Sequence, residues 1–404
     1  MKDRAICRGC KKVLVCCVKA PWPPSGGVDL RCWEAINLLS QCARTGVFAL
    51  TGRRTPPPGT SDAVWHVLGR DFAPPDQRDN WLGRQNGLPS DIYYDDAAAA
   101  ELRSLLERFE ADVVVLDQLW MQRYACVARS AGARLVLNAH NVEAALAREL
   151  AATERHPPAR LLRKVFAERV AKIEGELVNR ADQVWVCSEQ DRRLMTERYQ
   201  PRSVHVVPNA VEVDRYRGQQ PPRPPAFTGT GPFFLFSGVF HYAPNQNAAT
   251  FLIRDLFPRL AAKHQDARLL LVGMDPTPEM LAAAAADERI VVTGAVPDMA
   301  PYLRHASLML VPLAEGGGTR FKIIEAFAAG LPVVSSPKGA EGLGAEARKH
   351  LLLATNVDEF LEATAEILSG GPTVRARTAA ASELADSFSW ATAALSVEQA
   401  LASL

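Results

Sequence analysis

Hydrophobic positions along the chain gather into short unbroken runs, each followed by a stretch with helical spacing. In the first half the runs are 13–18, 113–116, 134–138, 184–187 and 204–207; in the second they are 233–236, 267–272, 290–293, 308–311 and 332–335. A strand that is apolar at consecutive positions is buried on both faces, as in a parallel sheet covered by helices. Two such sets predict two doubly wound α/β domains. Between the sets, 218–232 carries five prolines and three glycines, which cannot propagate a helix or a central strand. The expected layout is therefore a domain over 1–217, a linker over 218–232, a second domain over 233–385 and a C-terminal helix over 386–404. Whether that helix packs back on the first domain stays open. A stretch from about 51 to 90, with Pro56, Pro57 and Pro58, reads as an irregular surface elaboration of the first domain. Alanine runs at 97–100 and 282–286 read as helix, because alanine has the best helix propensity.

Composition narrows the class. The chain has 404 residues, 48% of them hydrophobic and 23% charged, which suits folded domains and not a disordered chain. Its 46 basic and 45 acidic residues leave a net charge of +1, so a nucleic acid partner, which needs a basic surplus, is not expected. No uncharged apolar run approaches the ~18 residues of a membrane span, and no secretory pattern opens the sequence. A cytoplasmic protein is expected, one that would meet a membrane only from its inner face. Cys7 and Cys10 have zinc-knuckle spacing but no second pair follows, so no metal site is expected. Cys16 and Cys17 lie in an apolar run and read as buried strand thiols.

In open α/β sheets, ligands bind beyond the carboxyl ends of the strands. The most informative such loop follows 308–311 and reads Glu315, Gly316, Gly317, Gly318, Thr319, Arg320, then Lys322 and Glu325 on a helix that Gly330 and Pro332 should end. Glycines at a helix start let backbone N–H groups approach an anion, and the helix dipole favours it there. With Arg320 and Lys322 in the same turn, the pattern predicts a diphosphate cradle, and Glu325 could accept hydrogen bonds from a ribose diol. The plainer alternative is a glycine-rich loop before a solvated helix. In the first domain, Gly26 and Gly27 follow the first strand and open a helix, as an anion-facing turn or simply a tight one. His140 sits just past 134–138, where a side chain can enter a cleft or serve the core; Glu143 orients that loop or caps the next helix.

These stretches resemble, in order, the signature of glycosyltransferase family 4, also grouped as glycosyl transferases group 1. The matching segments are Pro21 to Gly27 with Arg31, Asn138-Ala139-His140-Asn141-Val142-Glu143, Val207-Pro208-Asn209-Ala210, and Phe236-Ser237-Gly238 leading to Tyr242, Pro244 and Asn245. Leu271-Val272-Gly273, Thr293-Gly294 with Asp298, the glycine-triplet loop, Gly339 to Leu343 and Phe388-Ser389-Trp390 continue the series. The resemblance implies a GT-B fold, two Rossmann-like doubly wound domains facing across a cleft, the first for the acceptor and the second for a nucleotide-diphosphate sugar. It implies transfer with retention, no metal, and no cofactor besides the nucleotide-sugar substrate. By the same resemblance His140, Arg320 and Lys322 would be catalytic. Gly26, Gly27, Ser237, Gly238, Gly316, Gly317, Gly318, Thr319 and Glu325 would bind the donor. The acceptor would be a sugar or a lipid-linked sugar in cell-surface or extracellular polysaccharide or glycolipid synthesis.

The chain departs from the family pattern in two places. The family usually sets a first glutamate eight positions before the second; here that position is Gly317, so Glu315 or the N–H groups of Gly317 and Gly318 would meet the donor sugar. Relatives also carry a basic residue soon after the strand 233–236, where this chain has Val239 to Asn245 without one of Arg or Lys. Arg320 and Lys322 must then supply the phosphate contacts, and Arg320→Ala is expected to lower turnover sharply. A nucleotide-sugar epimerase and a nonenzymatic nucleotide-sugar scaffold remain alternatives; a Rossmann dehydrogenase is disfavoured because the first βα turn lacks Gly-x-Gly-x-x-Gly.

One helix, about 159–179, sets Arg160, Arg163, Lys164, Arg169 and Lys172 among Leu161, Leu162, Val165 and Phe166. It reads either as a surface for an anionic membrane or as a helix packed on its own sheet with a solvated charged face. Glu168, Glu174 and Glu176 dilute the positive side.

Overall fold

A computed structural model describes residues 11–24, 26–57, 64–70, 88–154, 156–218 and 220–404. Cys7 and Cys10 lie outside the described residues. The chain divides into two compact units, Met1–Asn209 with Ala393–Leu404, and Ala210–Thr392.

Among the described residues the first unit holds β1 (Lys12–Lys19), β2 (Arg44–Thr51), β3 (Val64–Val67), β4 (Val113–Asp117), β5 (Arg134–Asn138), β6 (Gln183–Val186) and β7 (Val204–Val206). They pair in parallel in the order β3-β2-β1-β4-β5-β6-β7. The second unit holds β8 (Phe233–Ser237), β9 (Arg268–Val272), β10 (Ile290–Gly294), β11 (Leu308–Val311), β12 (Val333–Ser335) and β13 (Leu352–Leu353), also parallel, in the order β10-β9-β8-β11-β12-β13. Each sheet therefore runs outward from its first strand, then jumps back to that strand's other side. The crevice at that reversal lies between β1 and β4 in one unit and between β8 and β11 in the other, and it is where such sheets bind ligands.

Eight of the ten apolar runs are inner strands, as their pattern predicts: Val13, Leu14, Val15 and Cys16 are fully buried, and so are Leu308, Met309, Leu310 and Val311. The runs 204–207 and 290–293 instead form the edge strands β7 and β10, which are half-buried because only one side of each is paired. β2 has a buried apolar run of its own, Val47, Phe48, Ala49 and Leu50, which the runs above do not include, and at Gly46 before it a Cβ would lie 3.1 Å from the Leu14 side chain. Strands β3 and β13 escape the pattern. β3 is a half-exposed edge strand inside the stretch read as irregular, and β13 has two residues.

The boundary also falls earlier than residue 217. The helix Val213–Arg217 belongs to the second unit, where Tyr216 and Arg217 bond Glu325 and Asp386 and the Val211 N–H donates to the Phe388 carbonyl. The proline-rich 220–232 lacks regular structure yet is packed: Phe227 is buried against Phe233, ring centroids 5.0 Å apart. Proline removes backbone donors but does not stop a neighbouring aromatic side chain from joining a core. The helix Trp390–Ala402 changes unit along its length, and Ala393–Leu404 counts with the first, where Gln183 Nε2 donates to the Ala400 carbonyl at 2.8 Å and Lys11 Nζ to that of Leu401 at 2.6 Å.

Candidate active site

In the second unit, β8 and β11 deliver two loops to the reversal point. After β11 the chain turns through Gly316 (φ 111°) and Gly318 (φ 70°), left-handed backbone that glycine tolerates and other residues resist. The loop opens the helix Phe321–Ala328, whose first turns present Lys322 and Glu325; Gly330 (φ 67°) ends it as predicted, its N–H returning to the Phe327 carbonyl. Arg320 is folded onto its own loop, with Nη1 donating to the carbonyls of Gly317 and Gly318. Its role is at least partly to brace the turn, which the sequence pattern did not reveal.

Lys322 lies above the Phe236 ring, its Nζ 4.2 Å from the centroid, and donates to Asn245 Oδ1 at 2.9 Å. Burial first, and the Arg320 charge second, lower its pKa to about 7, partly offset by Glu325. Glu325 is pushed upward by burial, and its Oε1 accepts a 2.8 Å hydrogen bond from the Tyr216 hydroxyl. Burial and the Glu325 carboxylate in turn push the Tyr216 hydroxyl far upward, so it stays a donor. The pair leaves Glu325 with a further oxygen for another donor. Glu315 accepts from Asn247 Nδ2 at 2.7 Å, Thr319 is buried in the loop, and Ser237 ends β8 nearly buried. Beyond Ser237, Gly238 is squeezed from two sides: a Cβ on it would sit 2.7 Å from Asn245 Nδ2, and one on Gly273 would sit 1.8 Å from the Gly238 carbonyl oxygen. The structure thus places Ser237, Gly238, Glu315, Gly316, Gly317, Gly318, Thr319 and Arg320 on the two loops at the reversal point and Lys322 and Glu325 on the helix that follows the second loop, and adds Tyr216 and Asn245.

His140, Gly26 and Gly27 belong to the first unit. Gly26 is extended (φ -170°) and precedes the helix Gly27–Cys42 without a side-chain cap. His140 is 8% exposed, and its Nε2 lies 2.9 Å from Asp117 Oδ1 at the end of β4. The same oxygen accepts from Asn138 Nδ2 at 2.8 Å, while Asn138 Oδ1 accepts from Arg31 at 3.0 Å. Arg31 also donates to the Val207 carbonyl at 2.5 Å and to Asn209 at 3.3 Å. Asp117 closes an apolar run as its last residue, and that position at a strand's carboxyl end was the available signal for it.

Glu143 does not cap the helix it opens, Glu143–Thr153. Glu174, from the helix Pro157–Arg180, accepts from the N–H groups of Glu143 at 2.7 Å and Ala144 at 3.1 Å, and from the Tyr199 hydroxyl at 2.7 Å. A buried carboxyl group reaching over from another helix satisfies those donors, while Glu143 bonds Asn141 and so orients the loop.

The description Glycosyltransferase Family 4 matches residues 63–215, and Glycosyl transferases group 1 matches 231–370. No curated protein sequence matches the chain. Among solved structures, sucrose-phosphate synthase from Thermosynechococcus elongatus is 16% identical with a TM-score of 0.73, over 97% of this chain and 98% of that one. HepE of Anabaena in complex with UDP-glucose is 16% identical with a TM-score of 0.70, over 97% and 100%. WaaG, a glycosyltransferase involved in lipopolysaccharide biosynthesis, is 16% identical with a TM-score of 0.65, over 95% and 98%. Likeness at that identity speaks for the fold, which is GT-B with two Rossmann-like domains. One family description on each unit, in the order of the chain and together spanning most of it, places the protein among the family 4/group 1 glycosyltransferases.

Proposed function

We propose that this glycosyltransferase moves a sugar from a nucleotide-diphosphate sugar to a sugar or lipid-linked sugar acceptor, with retention and without a catalytic metal, in cell-surface polysaccharide or glycolipid synthesis. The observation that carries the donor reading is the pair Lys322 and Glu325 on the first turns of one helix, beyond a glycine turn at the sheet's reversal point. The ammonium and the free N–H groups of the helix start suit a diphosphate, and the carboxyl suits a ribose diol. HepE is crystallised with UDP and with UDP-glucose, which makes uridine nucleotides the first donors to test.

In retention, the acceptor oxygen attacks the anomeric carbon on the face the diphosphate leaves; the carbon–phosphate-oxygen bond breaks as the new glycosidic bond forms, and the acceptor proton passes to the phosphate. The barrier is set by charge building on the departing diphosphate, so preorganised positive charge lowers it. A diphosphate beside Lys322 favours the ammonium form and draws its pKa back up from about 7. His140 would be a catalytic residue of the acceptor-binding unit, its Nε2 engaged by Asp117.

A thermal-shift panel of UDP, GDP and ADP tests the donor claim, and stabilisation by none of them overturns it. With the best nucleotide, its sugar derivatives are assayed for transfer in the presence of a chelator, and the product's anomeric configuration is read by NMR. Inversion, or loss of activity on chelation, would remove the corresponding part of the proposal.

The proposal extends to a peripheral contact with an anionic membrane face. On the helix Pro157–Arg180, Leu161, Leu162 and Val165 are exposed at 64%, 43% and 53%, with exposed Arg160, Lys164 and Lys172 on the same helix. The acids expected to dilute this face do so less than their number suggests: Glu174 is buried in its capping role, and Glu168 is held by Arg148 at 3.0 and 3.2 Å. Aliphatic side chains beside uncancelled cations suit an anionic interface. Sedimentation with phosphatidylglycerol vesicles but not phosphatidylcholine vesicles is expected, weakened by salt and by Leu161→Gln with Val165→Gln; equal binding to both vesicles, or to neither, refutes it.

A further inference from the structure

Lys322 is held by a neutral side chain, where a carboxylate would have been the stronger electrostatic partner. Its Nζ donates to Asn245 Oδ1 at 2.9 Å, and Asn245 Nδ2 donates to the Val239 carbonyl at 2.9 Å. The two partners settle which way the amide faces: an ammonium can only donate and a carbonyl can only accept, so the reversed amide would oppose both. Asn245 is 8% exposed, and its own N–H donates to the Tyr242 carbonyl at 2.9 Å, fixing the backbone beneath the side chain. Gly238 lies against the amide so closely that any Cβ there would strike it, and Gly273 backs Gly238 from the other side. The amide is therefore packed into one place and one orientation.

We propose that Asn245 is a positioning residue of the donor site, which holds the Lys322 ammonium over the Phe236 ring while leaving its charge unneutralised for the diphosphate. An aspartate at 245 would also accept from Lys322, but it would cancel the charge the diphosphate must meet and set a carboxylate against the Val239 carbonyl. A residue without an acceptor would leave the ammonium with only the ring. The amide joins a donor to an acceptor at no net charge, and neither substitute does that.

The inference rests on the donor reading, yet it can be tested apart from it. The charged groups bearing on Lys322 are Arg320, which disfavours its ammonium form, and Glu325, which favours it; burial lowers its pKa to about 7. Trace labelling of the free enzyme with acetic anhydride across pH, read at Lys322 by mass spectrometry, gives the titration midpoint of this lysine without any nucleotide. Asn245→Asp is expected to raise the midpoint by about 1–3 pH units, as an opposite charge at contact does, and Asn245→Ala to lower it. UDP affinity at pH 7 is expected to fall at least about tenfold in both variants, and the pH dependence of kcat/KM to move in opposite directions. A merely structural asparagine would weaken both variants and shift neither midpoint. Unmoved midpoints in both overturn the inference; moved midpoints with a wild-type protein that binds no nucleoside diphosphate uphold the lysine–amide coupling and overturn the donor reading instead. Should Asn245→Asp fail to fold, the midpoint in Asn245→Ala alone decides.

Discussion

The two sheets share one strand order, and their reversal points carry opposite kinds of chemistry. Between β1 and β4, Asp117, Asn138, Arg31 and Asn209 are buried and bonded to one another, with His140 at the end of the network. A carboxylate and a guanidinium occur in the same network, so much of its charge is answered from within. Between β8 and β11, glycines replace side chains, and Lys322 and Arg320 stand beside a glutamate whose carboxyl burial drives toward its neutral form. The Lys322 ammonium, held by an amide and not by a carboxylate, is the charge that an arriving dianion would answer. A shared fold sets where ligands can bind, and the local balance of charge sets what binds.

The largest effect that would sharpen this contrast is Lys322→Met. It is expected to lower kcat/KM by about 10³-fold, the scale for losing a preorganised charge at a leaving group, with little change in Tm; a steady-state assay with the best donor checks it, and a tenfold loss or less would break the contrast. Arg31→Leu should do the reverse. It strips the Val207 carbonyl and Asn138 of a buried donor, at a cost on the order of 3 kcal/mol seen in denaturant unfolding. Tyr216→Phe removes one hydrogen bond to Glu325 and should weaken nucleoside diphosphate binding about fivefold by calorimetry, consistent with about 1 kcal/mol.

The smallest effect concerns pH. Glu174 has a pKa raised to about 7 by burial, from an ordinary 4.5, so the folded protein holds a proton there that the unfolded chain has lost. Folded-state proton excess makes stability fall as pH rises, here between about 4.5 and 7. Thermal unfolding followed across that window should show Tm declining, with a shallower decline in Glu174→Gln. Parallel profiles for the two proteins would remove Glu174 as the cause.

Much of the glycine loop could be read from the chain, because a helix start, its glycines and its stop are local features. Gly316, Gly318, Lys322, Glu325 and Gly330 all stand where their spacing put them. The partners that define their chemistry are distant in sequence. Tyr216 reaches Glu325 across 109 positions and Asn245 reaches Lys322 across 77, and no pattern along the chain announces such pairs. Arg320 shows the converse: its charge was legible, but its fold-back onto Gly317 and Gly318 was not. Edge strand β3 and two-residue β13 were missed since neither is buried on both faces over a run long enough to register.

By itself the sequence determined two parallel sheets, the glycine turn and the helix bearing Lys322 and Glu325, since continuous burial, backbone permissiveness and helix capping act over a few neighbouring residues. Only the tertiary structure decided that Val211 to Arg217 join the second unit, that Glu174 caps a helix opened by Glu143, and that an amide, not a carboxylate, steadies Lys322. Those outcomes depend on which distant groups are brought within hydrogen-bond reach once the core has closed, and a hydrogen bond has no range beyond that contact.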